Sequence, residues 1–425
     1  MSSVPSLNEG RIPAMVKHAL LKSYLEKLVL IIGMNGRAKG SAEICYVDCF
    51  AGPWGSDDTK LEGTSISLSL KTLAACKEKL ASLGVNARMR ALFIERDKAA
   101  YQRLSAYLSN DAPKSVEAKP LEGDFVDLRT DILNWAGKDA FTFFFIDPKG
   151  WTPIVIDVLR PLLQRPRSEF LINFIYEFIN RTASIGQFRE AMRGLLGKEV
   201  AVDGKTPEER EHDLVGAYRE VLKTCVPAAR HPFNARTAYV TVMHPDKERT
   251  KYHLVYLSCH PKGIVEFMKI SQAVDIVQAR VRMANQLEEL AAKSGAIDMF
   301  VEHAVAEVDG ARSTPDDVDR FWRSYLSNGE KRINQATFAD ILEDTNWLPK
   351  ELQDSIQRLL KAGEIVNLDS VGKRRTTQPL HYDGAGERLM LTAARRVVGG
   401  HCRQDRSEHW NWHCSPRRRH PFDAP

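Results

Sequence analysis

The feature that most constrains this chain lies between residues 43 and 258. Short apolar runs of strand length alternate with helical segments, and the last two runs break the alternation. Residues 43–49 (EICYVDC), 88–95 (RMRALFIE), 115–121, 141–147 (FTFFFID) and 170–175 read as strands. Helical patterns at 65–83, 98–108, 126–135 and 153–163 separate them. Strands joined by helices form a parallel sheet covered on both faces, which is why FTFFFID carries no polar alternation. After two more helical segments, 177–195 and 206–224, the strands 237–243 and 252–258 have only seven to nine residues between them. That is too short for a helical crossover, so the pair is antiparallel. A five-strand α/β sheet ending in a hairpin is the class I methyltransferase (Rossmann-like) arrangement. Plain dinucleotide-binding sheets lack the hairpin.

Ahead of the sheet, residues 14–33 read as an amphipathic helix closed by Gly33. Behind it, residues 262–327 read as helical. From about 330 the pattern changes to two short helices, 335–343 and 350–362, and two short strands, 364–368 and 380–382. Between those strands lies the basic stretch VGKRRTTQP. Helix–turn–helix followed by a two-stranded wing reads as a winged helix. The expected organisation is a methyltransferase-like domain at 1–275, a helical connector at 276–329, a winged helix at 330–390 and a disordered basic tail at 397–425.

Charge supplies few clues. Lys and Arg number 60 against 55 acids, and the Arg-rich last 32 residues account for most of that excess, so only local patches point to nucleic acid. No apolar run reaches the roughly 18 residues of a membrane helix, which argues against a membrane partner. The seven cysteines (45, 49, 76, 225, 259, 402, 414) are scattered, without a CxxC pair. With no signal-like start, they indicate a reducing, cytoplasmic setting.

Five segments carry candidate chemistry. YVDCFAGPWG places Asp48 at a strand end, then Phe50, Gly52 and Gly55 in a loop where a doubly wound sheet presents its cofactor. Its spacing fits neither GxGxxG nor a Walker loop. FIERD puts Glu95 at the tip of the second strand, where an acid accepts from ribose hydroxyls. In LEGDFVD, Asp124 is a candidate for an adenine amine and Phe125 for stacking. The competing role there is a helix cap by Asp124 or Asp127. FFFIDPKGW offers Asp147 to a substrate amine, Pro148 to stiffen the turn and Trp151 to stack on a base. Here the competing role is Asp147 as cap of the helix near Thr152. In FLINFIYEFINR, Asn173 follows the fifth strand toward the substrate mouth, while Glu177 and Arg181 read as an i,i+4 pair. The wing residues Lys373, Arg374 and Arg375 are candidates for phosphate contacts. His401, Cys402, His409, His413 and Cys414 lack a paired knuckle, so no metal is expected.

KHALLKSYLEKL, YVDCFAGPWG, FIERD, FFFIDPKGW, FLINFIYEFINR and YHLVYLSCHPKGIVEFM, in this order, closely resemble the three-Cys-motif partner protein (TcmP) family, over about residues 17–270. The resemblance implies an S-adenosyl-L-methionine-dependent methyltransferase that acts with a three-Cys-motif protein, a radical-enzyme-like partner, and carries an attached winged helix. Position by position, Asp48, Phe50, Gly52 and Glu95 match the cofactor motifs, and Asp147 with Pro148 matches the catalytic strand. Two departures stand out. Trp54 sits where the family loop reads FAGPG, and DPKGW is not the DPPY-type motif of adenine-amine enzymes. A nucleic-acid base amine in DNA or RNA is the candidate acceptor. The alternatives are a non-catalytic cofactor-binding partner subunit and a winged-helix nucleic-acid-binding regulator.

Overall fold

The computed structural model describes residues 11–52, 61, 63–228, 232–245, 247–294, 310–370 and 378–392. Gly55, Trp54, the wing residues Lys373, Arg374 and Arg375, and the tail from 393 lie outside them.

Helix α1 (Arg11–Asn35) precedes β1 (Ser41–Asp48), α2 (Ser65–Ser82), β2 (Asn86–Glu95), α3 (Lys98–Asn110), β3 (Glu117–Glu122), α4 (Arg129–Ala136) and β4 (Phe141–Ile146). Then come α5 (Ile156–Leu163), β5 (Ser168–Phe174), α6 (Tyr176–Ala183), α7 (Arg189–Leu196), α8 (Pro207–Thr224), β6 (Arg236–Met243), β7 (Thr250–Ser258) and α9 (Pro261–Ser294). These strands form one seven-stranded sheet in the order β3-β2-β1-β4-β5-β7-β6. The first five are parallel, and β7 runs antiparallel to both β5 and β6. This is the expected methyltransferase-like sheet with its terminal hairpin. The strand order reverses between β1 and β4, and that reversal is where an open α/β sheet leaves a crevice for a ligand.

Both sheet faces are covered. Tyr46, Phe143, Phe145 and Leu171 face α1, α2 and α9, in one apolar cluster. Val47, Phe144, Ile146 and Ile172 face α5 to α8, in the other. All six residues of β4 are buried, which explains its unbroken apolar sequence.

Helix α1 does not stop at Gly33 but continues to Asn35. Gly33 is there because α2 packs against it: a Cβ would lie 2.4 Å from Leu80 Cδ1. The expected helix at 177–195 is broken into α6 and α7, with a 3₁₀ turn at Gly186–Phe188 between them.

Residues 310–392 add α10 (Pro315–Tyr325), β8 (Lys331–Ile333), α11 (Gln335–Thr345), α12 (Pro349–Lys361), β9 (Ile365–Asn367) and β10 (Glu387–Leu391). Their strands make an antiparallel sheet in the order β8-β10-β9. The expected strand at 380–382 is absent, and Glu387–Leu391 takes its place. Gln353 explains this: its side chain accepts from the Leu380 amide (3.1 Å) and donates to the Leu380 carbonyl (2.9 Å), satisfying groups a ladder would use. Tyr382 stacks on Phe338 instead, with ring centroids 4.2 Å apart. The apolar residues of this unit, Trp322, Phe338 and Leu389 among them, are continuous with the α1–α9 side of the main core.

The cysteines at 45, 49, 76, 225 and 259 are free. Among the described residues no helix is long and apolar enough to cross a membrane, and no group of three or more metal-ligating side chains gathers.

Candidate active site

Strand register brings three acids to one edge. Asp48 ends β1 and pairs with Phe93 on β2 and Phe145 on β4. Two residues on from those partners, Glu95 ends β2 and Asp147 directly follows β4, so all three acids lie at the carboxyl edge of the sheet, at the point where strand order reverses. Two amides hold the loop after β1 over this edge. Cys49 N–H donates to the Phe145 carbonyl (2.9 Å) and Ala51 N–H to the Ile94 carbonyl (2.8 Å). Gly52 follows directly, partly buried.

Asp48 is fully buried. Its carboxyl accepts from the Phe50 amide at 3.1 Å and from the Ser65 hydroxyl at 2.8 Å. Ser65 is the first residue of α2, and Thr64 caps that helix through the Ser67 amide. Burial pushes the Asp48 carboxyl up from 3.8 to about 6, with the Ser65 and Phe50 hydrogen bonds pulling the other way. Glu95 is 4% exposed. One of its oxygens takes the Asp97 amide at 2.6 Å, and the other makes no hydrogen bond among the described residues.

Asp124 takes neither of the roles weighed in the sequence but forms a local turn. It accepts from the Val126 amide (2.9 Å) and lies 3.4 Å from an Arg96 guanidinium nitrogen. It does not cap α4, whose N-cap is Leu128 without a side-chain bond. Phe125 is buried, with its ring centroid 5.1 Å from that of Phe50.

Asp147 does not cap the turn at Thr152–Ile154, whose N-cap, Trp151, has no side-chain bond. One Asp147 oxygen accepts from Asn173 Nδ2 at 2.7 Å, and the other forms an ion pair with Lys17. Asn173 is 6% exposed, and its Oδ1 is buried without a hydrogen-bond partner. Pro148 is buried, and Trp151 packs half-buried against the α5 side of the core. Glu177 pairs with Arg249 of the β6–β7 turn (2.8 Å), not with Arg181. Arg181 donates to the Glu177 backbone carbonyl and lies over the Phe178 ring.

Sequence reasoning missed Lys17, Ser65 and Tyr252. Lys17 projects from the first turns of α1, which Tyr252 pins by donating to the Pro13 carbonyl at 2.6 Å. The neighbouring His18 is lowered from 6.5 to about 4, by burial first and by the Lys17 charge second, against the opposing pull of Asp147. The block KHALLKSYLEKL was conspicuous, but nothing in its spacing ties it to residue 147.

No protein-family profile matches the chain, and no curated protein matches it in sequence. Among solved structures, a DUF574 family protein from Streptomyces avermitilis is 10% identical, over 58% of this chain and 88% of that one, with a TM-score of 0.30. The O-methyltransferase from Bacillus cereus in complex with SAH is 11% identical over 59% and 92%, at 0.24. Loganic acid methyltransferase with SAH is 10% identical over 92% and 96%, at 0.26. The strand order and its terminal hairpin make the fold methyltransferase-like.

Proposed function

We propose that this chain is an S-adenosyl-L-methionine-dependent methyltransferase. The observation that carries the reading is the convergence of Asp48, Glu95 and Asp147 on one sheet edge, at the reversal of strand order. The donor set fits the cofactor. Glu95 has an oxygen available for ribose hydroxyls, Asp48 is an acceptor for a cationic amine, and Phe50 with Phe125 supplies apolar surface for a base. When bound, the cofactor supplies an electrophilic methyl group. Asp147 then accepts a hydrogen bond from the acceptor nitrogen and orients its lone pair. Orientation matters here because the acceptor nitrogen must direct its lone pair at the methyl group in line with the leaving sulfur. Pro148 stiffens the turn that holds Asp147, and Trp151 offers ring surface beside it in sequence. Removal of bulk water from the site strengthens these contacts.

The TcmP resemblance supports a three-Cys-motif protein as partner and a base amine of DNA or RNA as acceptor. Helices α11 and α12 with the β9–β10 pair are consistent with a winged helix whose basic residues, Lys373, Arg374 and Arg375, meet phosphates.

The test is calorimetric titration with S-adenosyl-L-methionine of the wild type and of Glu95→Ala. Loss of charge-assisted ribose contacts lowers affinity at least about tenfold. A wild type that does not bind overturns the reading. One observation favours a second reading, a non-catalytic cofactor-binding subunit: Lys17 already occupies Asp147. That reading predicts cofactor binding without turnover, even in the complex with the partner.

A further inference from the structure

We propose that Asp147 and Asn173 together form a seat for an –NH2 group, and that Lys17 is the chain's own occupant of it, displaced when an acceptor bearing such a group arrives. The seat rests on geometry; only the identity of its guest as a methyl acceptor rests on the methyltransferase reading above.

The orientation of Asn173 is fixed by chemistry. An ionised carboxylate paired with Lys17 only accepts, so the Asn173 branch that faces it at 2.7 Å is the NH2. The carbonyl branch of the same amide is then left buried with no donor. Buried acceptors are nearly always paired, so one that is not calls for an explanation. One hydrogen-bonded pair of residues thus carries two acceptors, the Asp147 carboxylate, which Lys17 meets, and Asn173 Oδ1, which it does not. An –NH2 group brings two hydrogens, one for each, and a neutral amine keeps its lone pair free. A hydroxyl or thiol brings one hydrogen and leaves an acceptor unpaired. Sites built around buried hydrogen-bonding groups reject analogues that leave those groups unpaired.

Lys17 fits the role of a removable occupant. It lies at the mobile end of a long side chain, 17% exposed, on a carboxylate that is 18% exposed. Its helix is held in place separately, through Tyr252 and Pro13. The ammonium can therefore swing to solvent without unseating α1. Vacating Asp147 leaves a shielded charge unpaired, so a guest without a hydrogen-bond donor gains nothing by displacing Lys17, and a hydroxyl still leaves Asn173 Oδ1 unpaired.

The test uses the full chain with S-adenosylhomocysteine in excess, so that nucleosides do not enter the cofactor site. Wild type and Lys17→Met are titrated calorimetrically with two matched pairs of uncharged probes: cytidine against uridine, and aniline against phenol. In Lys17→Met, the nitrogen member of one pair gains at least tenfold over wild type while its oxygen counterpart is unchanged. Gain by cytidine assigns the seat to a base amine, and gain by aniline alone to an aryl amine outside a nucleobase. Equal behaviour of both members in both pairs overturns the proposal. A wild-type measurement covers a variant that fails to fold. A neutral amine that displaces Lys17 takes a positive charge away from His18 and moves its ring titration upward from about 4 by NMR, and saturation without that movement overturns the proposal. Titration with S-adenosylhomocysteine alone is a separate result: its failure sinks the methyltransferase reading, while the nitrogen-to-oxygen ratio still decides the seat.

Discussion

The Tyr24 hydroxyl donates to the Glu169 carboxyl at 2.8 Å across 145 residues of sequence, joining α1 to the start of β5. The Tyr256 hydroxyl shares a hydrogen bond with Tyr24, and Ser258 Oγ donates to the other Glu169 oxygen at 2.8 Å. This polar knot is buried in an otherwise apolar layer, and burial raises the Glu169 carboxyl above its ordinary range. A raised acid contributes fully below its unfolded value and loses that contribution as pH rises through its folded value. Glu169→Gln therefore gains on the wild type with rising pH, by at most about 1.4 kcal/mol per unit. Tyr24→Phe removes a donor to this carboxyl and costs about 1.5–3 kcal/mol. Urea unfolding from pH 4.5 to 8 checks both, and a pH-independent gap for Glu169→Gln contradicts the assignment.

Gly33→Ala tests packing against helix propensity. Alanine is favoured over glycine in a helix by about 1 kcal/mol. At this position its Cβ meets Leu80 at 2.4–2.6 Å, and overpacking of that kind costs about 1–3 kcal/mol. The variant is expected to be less stable, and Leu80→Ala added to it is expected to recover the clash part of the loss. The unfolding midpoints of the single and double variants give the answer. Stabilisation by Gly33→Ala alone would show that α2 yields freely.

The C-terminal unit is attached through a buried acid. Glu343 on α11 accepts from the Thr237 amide (3.0 Å), the Thr237 hydroxyl (2.9 Å) and Lys223 (3.0 Å). Arg219 donates to the Glu343 backbone carbonyl at 2.7 Å, and Arg236 pairs with Asp340 at 2.6 Å. Glu343→Ala leaves the Thr237 amide and hydroxyl without their acceptor, while Lys223 keeps Glu220 at 2.8 Å, and it costs about 1–3 kcal/mol. Because the loss falls on the contact between units, calorimetry is expected to split one transition into two, with the C-terminal unit melting first. A single transition lowered as a whole would mean that the two parts unfold together.

Which residues were legible follows from how far each one's partners lie along the chain. Strand β4 was readable because a strand buried on both faces spells an apolar run, and β1 and β5 through the shorter buried runs ICYV and FLI. Asp48, Glu95 and Asp147 were readable because the end of such a run is where a doubly wound sheet exposes side chains. Gly33 misled because a glycine near a helix end usually terminates it; here the reason for glycine is a neighbouring helix that local sequence does not reveal. Residues 380–382 have strand-like character, but the Gln353 side chain, from another helix, takes their backbone groups. Lys17 was invisible as a site residue because its partner is 130 positions away. The helix-cap reading of Asp147 was locally sound and lost to that distant ion pair and to Asn173.

Asp48 offers the most direct link between stability and the proposed cofactor. Its carboxyl is lifted from 3.8 to about 6, chiefly by burial. The sign is that of a raised acid: the wild type is relieved of the ionised form at low pH and penalised as pH rises through 6. A shift of this size corresponds to about 3 kcal/mol when fully expressed. Asp48→Asn is therefore expected to be more stable than the wild type above pH 6, with the advantage fading toward pH 4. Binding runs the other way. The cationic amine of S-adenosyl-L-methionine needs the ionised carboxyl, so wild-type affinity falls by up to about tenfold per unit below pH 6, while Asp48→Asn binds weakly with no such slope. Thermal melts and titrations at pH 5, 6, 7 and 8 measure both quantities on the same two proteins. A stabilised variant that keeps wild-type affinity and slope would remove Asp48 from the cofactor site and leave it a strained acid under α2.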